Sequence, residues 1–218
     1  MQPVEQLANT PGFLDLREQI IALARLSPND RALDIGAGTG LLTLAAAPTV
    51  SHVTALDISP AMCRHLQTKL ASLQLHNVDV IAADTINLPL ADESVDVALS
   101  NYCLHHLSDA DKRQALREIW RVLRPGGRVV IGDMMFQLAL ANARDRALLA
   151  RFAKQMLRTG PAGLVRLLKN VVRVITGRAE HPASVDWWQQ ALQDTGFTEV
   201  TVRALHHEGG IAHARRPQ

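Results

Sequence analysis

Between positions 34 and 40 the chain reads Asp34-Ile35-Gly36-Ala37-Gly38-Thr39-Gly40, an acid followed by glycine at every second position. Glycine carries no Cβ, so a loop of this kind lets backbone groups approach a ligand closely. A dinucleotide fingerprint sets its third glycine at position 41, which is Leu41 here; Gly40 comes one position early, and NAD and FAD are disfavoured. A pyrophosphate is also best served by a helix start that binds anions. A zwitterionic amino-acid tail asks instead for close backbone plus a nearby acid, and Asp34 supplies that acid.

Further acids recur downstream in order. Asp57 lies 21 residues after Gly36, where an acceptor-only carboxylate can take two hydrogen bonds from a ribose diol. Asp84-Thr85 offers one carboxylate and one hydroxyl or backbone N–H to the amino group and ring nitrogen of an adenine, and Ile58 and Met62 can flank the ring's faces. Each acid has a plainer alternative as a helix cap or turn residue. Their ordered combination at successive strand ends is far more specific than any one of them.

Those residues need a scaffold that brings strand ends together. Apolar strand-like runs alternate with helix-periodic segments through Asp133, the pattern of βαβ units and a mostly parallel sheet covered by helices. Phe13 to Leu26 reads as a helix with Leu16, Ile20 and Leu23 on one face, stopped at Ser27-Pro28. Strands are expected from Ala32 into the glycine turn, at His52 to Asp57, Val78 to Ala82, Val95 to Ser100 and Arg128 to Asp133. Ser59-Pro60 opens a helix that ends near Leu73. Ala110 to Leu123 reads as another, stopped by Arg124-Pro125-Gly126-Gly127. Asp186 to Thr195 reads as a helix ending at Gly196, followed by a hairpin of Glu199 to Leu205 and Gly210 to Ala214.

The alternation breaks between Met134 and Glu180, where nine Lys or Arg face two acids, a local charge of +7 in a chain of net +2. Arg151, Lys154 and Arg158 repeat at helical spacing, as do Arg166, Lys169 and Arg173, each set a basic stripe opposite an apolar face. Two readings follow: a helical insertion with a solvated basic face, or an acceptor lid or peripheral membrane contact. A length of 218 residues with 47% hydrophobic content suits one α/β domain. It divides into an N-terminal helical cover (1–30), a ligand-binding core (31–133), the basic insertion (134–180) and a last helix with hairpin (181–218). The near-balanced charge does not announce a nucleic-acid binder. Two cysteines, Cys63 and Cys103, make neither a disulfide framework nor a metal ladder and favour the cytoplasm. No apolar run approaches the roughly 20 residues of a membrane span, and no spacing of His206, His207 and His213 resembles a zinc motif, so no metal is expected.

Taken in order, Ala32 to Gly40, Asp57-Ile58, Asp84-Thr85, Ser100 to Leu107 and Arg124 to Gly127 resemble the successive motifs of class I, Rossmann-like S-adenosylmethionine-dependent methyltransferases of small-molecule type. The resemblance covers Ala32 to Asp133. It implies a three-layer sandwich around a seven-stranded, mostly parallel sheet with a reversed terminal strand, which the C-terminal hairpin can supply. It also implies that the glycine loop holds the methionine part of the cofactor, Asp57 its ribose and Asp84-Thr85 its adenine, with Ser100 lining the pocket. The segment from Ser100 to Leu107 departs from the Asn/Asp-Pro-Pro-aromatic signature of enzymes that methylate exposed amino groups of nucleobases or protein glutamines. It looks like that of small-molecule methyltransferases acting on quinones, lipids and natural products.

A sulfonium carries its own leaving group, so the protein's task is in-line alignment and exclusion of water. If the acceptor is a hydroxyl or an acidic carbon, a general base helps, and His105 is the first candidate, ahead of His106 and Tyr102. The plainer reading of His105 is a structural histidine bonded in a loop. Cys103, without an activating partner, is assigned to packing. The expected function is methyl transfer from S-adenosylmethionine to a small, hydrophobic acceptor at oxygen, nitrogen or carbon. The competing expectations are a catalytically inactive S-adenosylmethionine-binding partner subunit and a nicotinamide-dependent oxidoreductase.

Overall fold

The computed structural model describes residues 11–135, 181–205 and 209–218. In chain order the elements are α1 (Pro11–Ala24), β1 (Arg31–Ile35), α2 (Leu41–Ala46), β2 (His52–Asp57), α3 (Pro60–Ser72), β3 (Val78–Ala82), β4 (Val95–Asn101), a 3₁₀ turn (Leu104–His106), α4 (Asp109–Val122), β5 (Leu123–Met134), α5 (Val185–Thr195), β6 (Thr198–Ala204) and β7 (Gly209–Arg215). The strands form one seven-stranded sheet in the order β3-β2-β1-β4-β5-β7-β6. β1 to β5 run parallel, and β7 runs antiparallel to both β5 and β6. This is the expected three-layer architecture with its reversed strand. The sequential order reverses direction beside β1, and in open α/β sheets ligands sit at the carboxyl ends of the strands at such a switch point.

Strand alternation builds two cores. Ala32, Val97, Leu99 and Val130 face Leu16, Ile20, Leu42 and Ala46 on the side of α1 and α2, while α3 packs Leu66 and Leu70 on Ala55. Leu33, Ile35, Ala98 and Ile131 face α4 and α5. Leu16 and Ile20 are fully buried, each worth about 1.5–3 kcal/mol, and they press on β5 where Gly132 leaves room. A Cβ there would come within 2.7 Å of Ile20 and 2.8 Å of Leu16.

Helix boundaries follow side-chain caps. Ser59, Ser108 and Ser184 accept the N–H of Met62, Asp111 and Trp187 at the starts of α3, α4 and α5, and Gly196 closes α5 in the left-handed conformation. At the carboxyl ends of α1 and α4 arginine satisfies the last carbonyls, where a helix dipole favours a cation. Arg128 donates to the carbonyls of Ala24 and Arg25 behind α1 and pairs with Asp30 at 2.5 Å. Arg216 donates to the carbonyls of Trp120, Arg121 and Leu123 behind α4 and lies 3.9 Å from the Trp120 ring.

One boundary differs from expectation. The Arg124-Pro125-Gly126-Gly127 stop lies inside β5: Leu123 already pairs with Val95, and regular pairing resumes at Val97 with Arg128. The turn residues bulge out of a strand that has already begun, since Leu123 is fully buried and carries an extended backbone. Residues 136–180, which hold the basic stripes, lie outside the described residues.

Candidate active site

The glycine loop leaves β1 and is fastened to its neighbour, with the N–H groups of Gly36 and Ala37 both donating to the Leu56 carbonyl at 2.8 and 2.9 Å. Gly36, Gly38 and Gly40 have φ of 70°, 52° and 87°, the left-handed region that side chains disfavour. Two of them also lack room: a Cβ at Gly36 would overlap the Cys103 Sγ, and one at Gly40 the Leu66 side chain. At Gly38 a Cβ would meet nothing nearer than 3.9 Å. The loop is thus packed from behind and open at its crest.

Asp57, at the end of β2, holds that crest. Its Oδ2 accepts the Gly38 N–H and its Oδ1 the Ser59 N–H, both at 2.8 Å. A carboxylate has about four acceptor positions, so each oxygen keeps capacity for a further donor, as a vicinal diol requires. Ile58 beside it is 71% exposed, an unusual position for a large apolar side chain and a ready face for a flat ring. Met62, partly buried, begins α3 just beyond. After the adjacent strand β3, Asp84 accepts the Ile86 N–H on Oδ1 at 3.2 Å, a local turn that leaves Oδ2 to other donors, and Thr85 is buried beside it.

Two residues stand behind the pocket wall. Ser100 is fully buried and donates its hydroxyl to the Ile35 carbonyl at 3.2 Å, so it ties β4 to β1. Asp34 is buried as well. Its Oδ2 accepts both the N–H and the hydroxyl of Thr43, at 2.8 and 2.5 Å, which satisfies an open N–H of the first turn of α2 and locks the loop's exit to its entry.

Burial pushes the Asp34 carboxyl up to about 6, against the pull of the Thr43 bonds and with a further push from the charge on Asp57. A raised carboxyl means that the folded protein holds this proton more tightly than the unfolded chain. Stability therefore falls as pH rises from about 4 to about 6, by about 3 kcal/mol for this group. Asp34→Asn should gain about 2 kcal/mol of this relative to the parent between pH 4.5 and 7.5 in urea unfolding; an unchanged difference across that window would contradict the raised carboxyl.

At the carboxyl end of β4, beyond Cys103, His105 occupies the 3₁₀ turn and is nearly buried. Its Nδ1 lies 2.6 Å from Asp133 Oδ1, and its backbone N–H donates to Asp133 Oδ2 at 2.9 Å. Tyr102, just before it, adopts φ 49°, a strained conformation for a bulky side chain. Its ring meets that of His105 edge-on at 6.3 Å. Cys103 fills the space behind Gly36, and its thiol is pushed far up by burial, which suits packing and not nucleophilic attack.

Sequence reasoning ended the fifth strand at Asp133 without giving it a task. In a parallel pair, the acid ending β5 is adjacent to the tail of β4, and that adjacency is the signal that points to it. Among the described residues no cluster of three or more His, Cys, Asp or Glu could hold a metal ion. His206 and His207 lie outside them.

Residues 33–131 match a family model described as a methyltransferase domain. The arsenite methyltransferase of Halobacterium salinarum is 37% identical over 117 residues, 52% of this chain and 29% of that one. The demethylmenaquinone methyltransferase of Listeria welshimeri is 32% identical over 204 residues, 90% of this chain and 81% of that one. The chain spans 29%, 54% and 37% of the first curated relatives it matches, about half their length or less. A solved SAM dependent methyltransferase from Aquifex aeolicus has the same fold, with a TM-score of 0.69 at 20% identity over 98% of this chain and 97% of that one. A glycine loop, an acid at the end of β2 with spare acceptor capacity and a match over 90% of this chain and 81% of a methyltransferase relative converge, and this chain belongs to the class I S-adenosylmethionine-dependent methyltransferases.

Proposed function

We propose that this protein transfers the methyl group of S-adenosylmethionine to a small, hydrophobic acceptor of quinone type, in its reduced form, by in-line displacement. The observation that carries the acceptor class is the alignment with the demethylmenaquinone methyltransferase of Listeria welshimeri, which runs through 90% of the chain and so beyond the cofactor half. On this reading the crest of the glycine loop at Gly36, Ala37, Gly38 and Gly40 receives the methionine part, with Asp34 behind it. Asp57 receives the ribose hydroxyls. Asp84 and Thr85 read the adenine edge, while Ile58 and Met62 cover its faces. Ser100 acts at one remove, by holding the strand ends that shape the pocket. When bound, the cofactor supplies an electrophilic methyl group on a sulfur that leaves readily. The chain's own task is alignment, exclusion of water and, for a hydroxyl or acidic carbon, acceptance of a proton at His105.

Arsenite as acceptor is disfavoured by the chemistry of the chain. A soft metalloid calls for several thiolates, whereas the chain has two cysteines and burial raises both thiols. A lipid-dissolved acceptor also gives the basic 134–180 segment a use in contact with an anionic membrane surface, from a cytoplasmic location. No helix among the described residues is long and apolar enough to cross a membrane.

Purified protein supplied with S-adenosylmethionine and a chemically reduced, short-chain demethylmenaquinone should give methylated quinol over many turnovers. Binding of S-adenosylhomocysteine without turnover on any hydroquinone would overturn the acceptor reading and favour a non-catalytic partner subunit. Binding of NADH in place of S-adenosylhomocysteine would overturn the cofactor as well.

A further inference from the structure

We propose that Lys69 is a positioning residue for the amino-acid tail of the cofactor: with Asp57 it clasps the crest of the glycine loop from two sides, so that the peptide between Gly38 and Thr39 is the one left to meet the ligand. The proposal rests on the methyl-transfer reading above. Lys69 lies in the last turn of α3, and its Nζ reaches back 30 residues to donate to the Thr39 carbonyl at 3.2 Å. Asp57, from the end of β2, accepts the Gly38 N–H at 2.8 Å. One charge of each sign therefore holds the crest, and hydrogen bonds to charged groups are the stronger kind.

A lysine at the end of a helix has a plainer use, as a partner for the helix's own last carbonyls and dipole. The end of α3 is closed without it. The Leu73 N–H reaches the carbonyls of Lys69, Leu70 and Ala71, and the Ser72 hydroxyl donates to the Lys69 carbonyl at 2.7 Å. Leu66, three residues before Lys69 and so on the same face of the helix, fills the space that a side chain at Gly40 would need. α3 thus meets the loop with one apolar and one charged contact.

The loop's hydrogen bonds can be followed peptide by peptide. The unit between Ala37 and Gly38 is bonded at both ends: its carbonyl accepts the Gly40 N–H at 2.7 Å, and its N–H donates to Asp57. The unit between Thr39 and Gly40 is bonded at both ends too, through that same Gly40 N–H and through the carbonyl that Lys69 holds. Between them, the Gly38 carbonyl and the Thr39 N–H have no partner among the described residues. Thr39 is buried, where backbone groups without a partner are rare. A free carbonyl matches an ammonium and a free N–H a carboxylate, the two charged groups of an amino-acid tail. Without Lys69 the unit between Thr39 and Gly40 loses one of its two fixings, and the free peptide beside it turns more easily. The Asp57 carboxylate, and with it the ribose contact, stays in place.

The test compares two ligands by calorimetry: S-adenosylhomocysteine, which carries the tail, and 5′-methylthioadenosine, which has the same nucleoside and thioether without it. Lys69→Met should weaken S-adenosylhomocysteine binding by about 10-fold, the scale of one charge-assisted hydrogen bond, and leave methylthioadenosine within about twofold of the parent. Lys69→Arg, which can still donate to Thr39, should restore most of the S-adenosylhomocysteine affinity. Lys69→Gln, one atom shorter and a good helix former, carries the same comparison if the methionine variant fails to fold. Unchanged S-adenosylhomocysteine affinity in the folded variant would overturn the proposal. So would an equal loss on both ligands, which marks a general loosening of the pocket, or a parent that binds methylthioadenosine as tightly as S-adenosylhomocysteine. A parent that binds neither ligand would overturn the methyl-transfer reading itself, and the proposal with it.

Discussion

His105→Asn is expected to lower kcat on a hydroquinone by about 10²–10⁴-fold, the range spanned by a positioned general base, while the protein stays folded. The choice of asparagine matters. Its side-chain nitrogen stands near where Nδ1 stands, so it can still donate to Asp133 Oδ1, now 2.6 Å from the ring, and the buried carboxylate is not stranded. What disappears is Nε2. Alanine would confound the result, because an unpaired buried carboxylate costs stability by itself. Thermal unfolding within a few degrees of the parent, unchanged S-adenosylhomocysteine affinity and a collapsed kcat would together locate the loss in proton transfer. A kcat within threefold of the parent would show that alignment alone drives the reaction and that His105 is a packing residue.

Asp57→Ala should weaken S-adenosylhomocysteine binding by about 10²–10⁴-fold. Each charge-assisted bond to a ribose hydroxyl is worth about 1.5–3 kcal/mol, and two of them amount to that range. The substitution also frees the N–H groups of Gly38 and Ser59, both held at 2.8 Å, so the crest of the loop loses its anchor along with its ligand contact. Asp57→Asn separates the two effects. The amide can still receive one backbone N–H, and its affinity should fall between those of the parent and the alanine variant. Calorimetry on both variants decides the matter, and undiminished affinity of a folded Asp57→Ala would remove Asp57 from the cofactor site.

The elements that carry the cofactor side were legible because their determinants are local. A glycine's left-handed preference at Gly36, Gly38 and Gly40, a serine cap before Pro60 and the alternation of β1 to β4 are each written within a few residues. The reversed strand could be anticipated from a hairpin pattern joined to the family resemblance. What sequence reading could not give was pairing between distant positions. Asp133 meets His105 across 28 residues, and Asp34 spends its carboxylate on Thr43 behind the loop. Ser100 donates its hydroxyl to the Ile35 carbonyl, a pairing across 65 residues. The Arg124 to Gly127 stop misled for a different reason: turn chemistry marks where a chain bends, and here the bend is a bulge within a strand already paired at Leu123.

The position of β7 has a consequence for how the protein is made. It follows β6 in the chain but lies between β5 and β6 in the sheet. A chain emerging from the ribosome therefore presents β1 to β5 while the edge of β5 is still bare, because the strand that fills the gap comes out after its outer neighbour, and β6 has no other strand to pair with. Through that interval Val129, Val130 and Ile131, all buried in the finished fold, border an open row of N–H and C=O groups, the kind of edge that recruits foreign strands. Insertion of β7 closes that edge, and Arg216, the next residue to emerge, then fastens the strand to the end of α4.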